Sequence, residues 1–268
     1  MLTIYFSGTG NTKYIAELFS QNMDINCLSI EEEFNFSDKL NAHDTIVFCY
    51  PIYGSRVPRI MREFVTKHMS AIIGKKIIIL VTQMMFSGDG ARVFTDMFSD
   101  GSIDVIYAEH FNMPNNICNF PLLKKPSDKK MQKCFNKVNV KMEQVCQNIK
   151  DGIVIKRGFS QFSQALGYIQ GKSWQGDSKK NDDFQCKVTI EQKAKSGVKI
   201  NEDCTVCNLC IYTCPTGNLE SIQNEIKQKG NCTVCYRCVN RCPRKAITVM
   251  MFHRKPKWQY EGIQYFKS

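Results

Sequence analysis

A chain of 268 residues with 43% hydrophobic content is long enough for two domains and ordinary for a folded protein. Its net charge of +11 is uneven: residues 1–150 hold 17 Lys and Arg against 15 Asp and Glu, and residues 151–268 hold 19 against 10. No apolar run reaches the length of a bilayer span, and Met1 leads directly into a strand pattern, so neither a membrane protein nor an exported one is expected.

In chain order, Leu2–Phe6, Ile25–Ile30, Thr45–Tyr50, Lys76–Gln83 and Ile103–His110 are short, apolar and rich in β-branched residues, which predicts five strands. Thr12–Phe19, Pro58–Met69, Ala91–Phe98 and Ser127–Ile149 fit helices, with a further short one in the second half of Glu31–Ala42. Pro58 suits a first helical turn, and Ile60, Met61, Phe64 and Val65 follow at helical spacing. Strands alternating with helices predict an α/β domain over residues 1–150, with a parallel sheet covered on both faces. The unbroken Ile77–Val81 reads as a central strand.

Directly after the first strand comes Ser7-Gly8-Thr9-Gly10-Asn11-Thr12, opening into a helix. Hydroxyls alternate with glycines, so backbone N–H groups can close around an anion at the helix N-terminus while Ser7, Thr9 and Thr12 add hydrogen bonds. No G-K-[ST] follows, which excludes a Walker loop, and the third glycine of a dinucleotide fingerprint is missing. An ordinary strand–helix turn is the alternative.

Residues 151–199 read as a connecting segment. Phe159–Gln170 fits a short helix with Phe162, Leu166 and Ile169 on one face, and the polar Gly171–Asp183 reads as a surface linker. Residues 200–250 hold the most specific signal. Cys204, Cys207, Cys210 and Cys214-Pro215 are repeated 28 residues on as Cys232, Cys235, Cys238 and Cys242-Pro243, each as C-x2-C-x2-C-x3-C-P. Three thiolates within seven residues can hold three corners of a cubane, and the fourth cysteine points away towards the other cluster, as in bacterial two-cluster ferredoxins. This assigns Cys204, Cys207, Cys210 and Cys242 to one [4Fe–4S] cluster and Cys232, Cys235, Cys238 and Cys214 to a second. A pair of structural zinc sites is the alternative, but zinc takes separated cysteine pairs and has no use for the third cysteine or the C-P. The proline after each fourth cysteine turns the chain and needs no N–H partner. The other six cysteines (Cys27, Cys49, Cys118, Cys134, Cys146 and Cys186) share no spacing and read as plain thiols. Free thiols and iron–sulfur centres predict a reducing, cytoplasmic location. Residues 251–268 form a basic, aromatic tail.

The loop after the first strand resembles the flavodoxin S/T-x-T-G-x-T, which holds the phosphate of FMN. The whole chain resembles the flavodoxin–ferredoxin fusion family of EFR-type ferrodoxins: Leu2–Ile149 is similar to flavodoxins and Ile200–Met250 to two-cluster ferredoxins. The resemblance implies a doubly wound, flavodoxin-like five-stranded sheet and a small α+β ferredoxin domain. It also implies flavin loops after the third and fourth strands, beside the switch point of the sheet. Those loops are Pro51-Ile52-Tyr53-Gly54, with Tyr53 to stack on the flavin, and Gln83-Met84-Met85-Phe86-Ser87-Gly88, with Phe86 or Met85 at the ring's other face. Phe111–Asn116, on the same rim, either lines the site or turns the chain, and the turn is the reading favoured. Flavodoxins are usually acidic and this domain is slightly basic, so their partners do not carry over.

FMN takes two electrons and passes them singly, and a cubane moves one, so the two parts together predict an electron carrier between low-potential redox partners. Arg237, Arg241, Arg244 and Lys245 would offset the negative charge of the clusters, and the remaining basic charge would steer an acidic redox protein. A flavin-dependent reductase of a quinone, a disulfide or dioxygen, fed by the clusters, is the alternative. A third reading lets Arg254-Lys255-Pro256-Lys257-Trp258 touch nucleic acid, but a basic terminus is ordinarily solvated and no nucleic-acid partner is expected. His43, His68, His110 and His253 show no metal or triad spacing, so no catalytic residue is assigned.

Overall fold

Strand β4 decides the architecture. Its Ile77, Ile79 and Val81 are buried in one apolar cluster while Ile78 and Leu80 are buried in another. A strand apolar on both faces requires a layer on each side. The computed structural model describes residues 1–175, 189–250 and 254–262. The chain begins β1 (Leu2–Tyr5), α1 (Asn11–Met23), β2 (Asn26–Ser29), α2 (Phe36–Asn41), β3 (Thr45–Pro51), α3 (Arg59–Lys67), α4 (Met69–Ile72), β4 (Lys76–Gln83). It continues β5 (Asp104–Asn112), α5 (Asp128–Lys150), β6 (Ile155–Lys156) and α6 (Gln161–Gln175).

The sheet order is β2-β1-β3-β4-β5-β6 and every pair is parallel. The doubly wound sheet is the one expected, with one correction: it has six strands, not five. Ile155 and Lys156 pair with Tyr107 and Ala108 at the edge after α5 brings the chain back. Two residues are too few to give a strand pattern in the sequence. The stretch expected as a helix over Ala91–Phe98 forms a 3₁₀ helix at Arg92–Met97.

Chain order reverses between β1 and β3, and both strands end at one rim; this is the switch point where such sheets bind ligands. α1 and α5 cover one face, through Ile15, Phe19, Phe135 and Met142. α2, α3 and α4 cover the other, through Phe36, Met61, Phe64 and Ile72.

The second core is small. It is built from α7 (Ile190–Lys195), β7 (Lys199–Ile200), α8 (Leu209–Tyr212), β8 (Leu219–Ile222), β9 (Glu225–Gln228), α9 (Arg237–Arg241) and β10 (Ile247–Thr248). β8 and β9 form a hairpin turned by Gln223 and Asn224, both at positive φ, and β10 pairs antiparallel with β7. The sequence repeat is also a conformational one. Val206 and Asn208 (φ 51° and 60°) recur as Val234 and Tyr236 (φ 59° and 60°), and Gly217 (56°) recurs as Lys245 (54°). Val234 and Val206 are β-branched residues in the left-handed region, where L side chains are strained, so the surroundings must hold them there.

The two cores are not independent. Cys235 is buried in the cluster that contains β1, β3 and β4, and Tyr260 in the one that contains α1 and α5. Among the described residues no helix is long and apolar enough to cross a membrane.

Candidate cofactor sites

The loop after β1 turns where the Gly10 N–H donates to Ser7 Oγ at 3.1 Å, with Gly10 at φ 104° as the residue preceding α1. No side chain caps α1 and its first turn holds no acidic residue, which leaves the positive end of the helix dipole open to an anion. Thr12 Oγ1 lies 2.7 Å from Thr82 Oγ1 and ties α1 to β4. Asn116 Nδ2 donates to Thr9 Oγ1 at 2.7 Å, and Asn11 Nδ2 to the Pro114 carbonyl at 2.9 Å. The loop after β5 is therefore strapped to the loop after β1.

Between them lies a cleft with about 810 Å³ of free space, its open mouth included. Ser7, Gly8, Thr9, Asn11 and Thr12 line it from the first loop. Pro51, Ile52, Tyr53 and Gly54 line it after β3, and Gln83 and Met84 after β4. Gly10, Met85, Phe86, Ser87 and Gly88 do not line it. Met85 and Phe86 stand 70% and 52% exposed on the outside. Ser87 Oγ donates to Gln83 Oε1. Gly88 packs against Gly167 of α6, where a side chain at Gly88 would collide with the α6 backbone and one at Gly167 with Asp89. The end of this loop thus serves as the seat of α6.

Three parts of the lining go beyond the favoured sequence reading. Met113, Pro114, Asn115 and Asn116, for which that reading prefers a turn to a place in the site, form a wall of the cleft. Trp174 of α6 reaches over it, with its ring centroid 6.5 Å from that of Tyr53 at an angle of 50°. Val234, Tyr236 and Met250 close it from the cysteine-rich part of the chain. Tyr53 itself is half-buried, and burial pushes its phenol well above the usual value, so the ring is neutral and suited to stacking. The cleft fits a flavin by one further observation: Asn115 Nδ2 is buried there with no hydrogen-bond partner, a donor waiting for the polar edge of a ligand.

The cysteines line two smaller cavities of similar free volume, about 340 and 310 Å³ with their mouths. Cys214, Cys232, Cys235 and Cys238 line the first, and Cys204, Cys207, Cys210 and Cys242 the second. In each, the fourth thiol comes from the other motif. The N–H groups of Asn218 and Ala246 donate to Cys214 Sγ and Cys242 Sγ, each at 3.3 Å, and that of Val234 to Cys232 Sγ at 3.3 Å. Such N–H donors favour thiolates, the form that binds iron. Burial pushes Cys232 up to about 11 and Cys235 up to about 12, so these are thiols until a metal displaces their protons. Thr233 Oγ1, buried at the first cavity without a partner, is free to donate to a negative group there. Cys207 is exposed, whereas Cys235 is buried. Cys186 lies outside the described residues.

Models of two domain families match the chain: the flavodoxin domain over residues 2–117 and the 4Fe-4S dicluster domain over residues 196–258. The chain is a flavodoxin–ferredoxin fusion. Among solved structures, oxidised flavodoxin 2 from Bacillus cereus is 18% identical, covering 54% of this chain and 97% of its own at a TM-score of 0.35. Two-electron reduced flavodoxin from Megasphaera elsdenii is 20% identical, covering 53% and 99% at 0.38. General stress protein 14 from Treponema denticola, in complex with FMN, is 11% identical, covering 55% and 97% at 0.40. No curated protein matches the fusion. Its two domains make it an electron-transfer protein of FMN and iron–sulfur clusters.

Proposed function

We propose that the fusion relays electrons between two [4Fe–4S] clusters and one FMN, and through them between low-potential redox partners. The observation that carries this reading is the wall shared by the centres. Val234 and Tyr236 line the flavin cleft, and they alternate in sequence with Cys232, Cys235 and Cys238, which line the adjacent cysteine cavity. FMN when bound supplies a centre that accepts two electrons and gives them up singly, and each cluster supplies a one-electron centre.

The chain's own residues do the rest. The open N-terminus of α1 and the hydroxyls of Ser7 and Thr9 receive the FMN phosphate. Tyr53 and Trp174 would supply the aromatic wall of the flavin site, and Asn115 Nδ2 would be free to donate to the polar edge of the ring. Cys214, Cys232, Cys235 and Cys238 hold an inner cluster against the flavin cleft, and Cys204, Cys207, Cys210 and Cys242 hold an outer one. Arg244 beside the outer cavity would favour the more negative, reduced state of that cluster and so raise its potential, whereas Arg237 beside the inner cavity is paired with Glu31, which offsets its charge. The outer face, with Cys207 open to solvent and Tyr212 82% exposed, suits an acidic redox protein as partner, given the basic charge of residues 151–268.

Cofactor content of anaerobically purified protein tests this directly. The expected result is one FMN with about eight iron and about eight sulfide per chain. Full clusters in a chain unable to bind FMN would overturn the relay.

A further inference from the structure

The loop Cys232–Cys238 faces two ways. Its thiols line the inner cysteine cavity while Val234 and Tyr236 form part of the flavin cleft. Both of these residues sit at positive φ, a strained conformation that persists only when its surroundings fix it. The loop also touches the phosphate loop with its backbone. A Cβ at Gly8 would collide with the carbonyl oxygen of Cys235, so glycine is what lets the two loops meet. Arg237 then locks the contact. Its guanidinium donates to the carbonyls of Gly8 (3.0 Å) and Ser7 (2.7 Å) and forms a two-pronged pair with Glu31 at 2.6 Å per oxygen, while a further bond reaches the Thr213 carbonyl at 3.0 Å. One step further on, Asn240 of α9 donates to the Asn116 carbonyl at 2.9 Å, behind the amide that holds Thr9.

The equivalent loop of the other motif has none of this. Val206 and Asn208 repeat the conformation of Val234 and Tyr236, yet neither lines the flavin cleft, and the cavity that Asn208 borders is formed by the cysteine-rich module alone.

Building on the FMN and cluster assignments proposed above, we infer that the flavin site is shared between the two modules, so that assembly of the inner cluster and binding of FMN are thermodynamically coupled, with Arg237 as the residue that positions one loop on the other. Iron–thiolate bonds fix a loop that the chain alone holds in strained form, and that loop is a wall of the flavin site. A cluster that orders the wall favours FMN, and by linkage FMN retains the cluster to the same degree. The outer cluster orders a loop that FMN does not meet and is left out of the coupling.

The test is FMN affinity, read by quenching of flavin fluorescence, on full-length protein reconstituted anaerobically and stripped of flavin. Cys232→Ala, lacking the inner cluster, is expected to bind FMN about tenfold more weakly than the wild type, and Cys207→Ala, altered at the outer cluster, to bind it unchanged. Arg237→Gln is expected to keep its iron and still lose FMN affinity, a result that misfolding through cluster loss does not give. In the reverse direction, FMN should slow removal of inner-cluster iron by a chelator in the wild type and not in Arg237→Gln. Equal FMN affinity in the wild type, Cys232→Ala and Arg237→Gln would overturn the coupling, as would equal losses in Cys232→Ala and Cys207→Ala. Failure of the wild type itself to bind FMN would instead remove the reading on which the inference rests.

Discussion

Gly8 has no room for a side chain. The carbonyl of Cys235 occupies the space of its missing side chain, and that carbonyl is backbone, unable to swing aside. Overpacking of this kind costs ~1–3 kcal/mol. Gly8→Ala is therefore expected to lower the unfolding midpoint in denaturant and to weaken FMN binding together; a variant that keeps both would show that the two loops separate freely. His110 is the other residue with a measurable signature. It is buried at the end of β5, where its Nε2 has no partner and Gly158 lies across it. The surrounding charges are Glu109, which accepts from Lys141 at 2.9 Å and from Arg157, and Lys141, which also donates to the His110 carbonyl at 2.6 Å. Burial holds its imidazole down at about 4. The unfolded chain therefore takes up a proton as pH falls below about 6.5 while the folded one does not, and the stability contributed by the neutral ring is lost progressively between pH 6.5 and 4. Each pH unit in that window costs up to ~1.4 kcal/mol. The unfolding free energy of the wild type should fall more between about pH 7.5 and 5 than that of His110→Gln; parallel curves would show that the ring takes up its proton in the fold as readily as in the unfolded chain.

At the scale of elements, the crossed use of the fourth cysteine makes the two motifs one unit. Cys214 ends the first motif but lines the cavity of the second. Cys214→Ala is expected to retain the cluster of Cys204, Cys207 and Cys210 and to lose the other, leaving about four iron per chain with the electron paramagnetic resonance of the outer cluster alone. Loss of the outer cluster instead would make each motif its own site. This unit was legible because ligand spacing is a local property: seven residues suffice to write three corners of a cube. The same holds for Ser7–Thr12 and for the central β4. What could not be read depends on distant parts of the chain. Trp174 sits in a segment that reads as a polar connector, and nothing local says that α6 docks through Gly167 on Gly88. Val234 and Tyr236 look like spacers between cysteines, and only the meeting of two modules turns them into a wall. Met85 and Phe86 failed in the opposite way: the flavodoxin resemblance of the loop after the fourth strand implied a flavin contact, but the loop bends to seat α6 and leaves them outside.

At the scale of the whole molecule, the proposed relay runs from an exposed cysteine cavity to a buried one. The basic half of the chain carries the exposed Cys207, and the buried Cys235 lines the cavity that shares Tyr236 with the flavin cleft. If an acidic carrier docks on that outer face, raising ionic strength from about 0.01 to 0.15 M shrinks the Debye length from about 30 to 8 Å and should slow reduction of the clusters by the carrier. A rate independent of salt would place the docking surface elsewhere. The C-terminal stretch belongs to the same scheme. Gln259 donates to the carbonyls of Val239 and Cys242 at 2.9 and 2.8 Å, and Trp258 to that of Leu123 at 3.1 Å.

Tyr260 carries that stretch back to the beginning. Its hydroxyl donates to Asn11 Oδ1 at 2.6 Å, across 249 positions of sequence. Synthesis runs from the N-terminus, and the ribosome releases about 5–20 residues per second. The sheet and the loop Ser7–Thr12 are thus free to form many seconds before Val234, Tyr236 and Met250, which close the cleft, have been made. If FMN binds there as proposed, its capture waits for that later part of the chain rather than for the folding of the first domain.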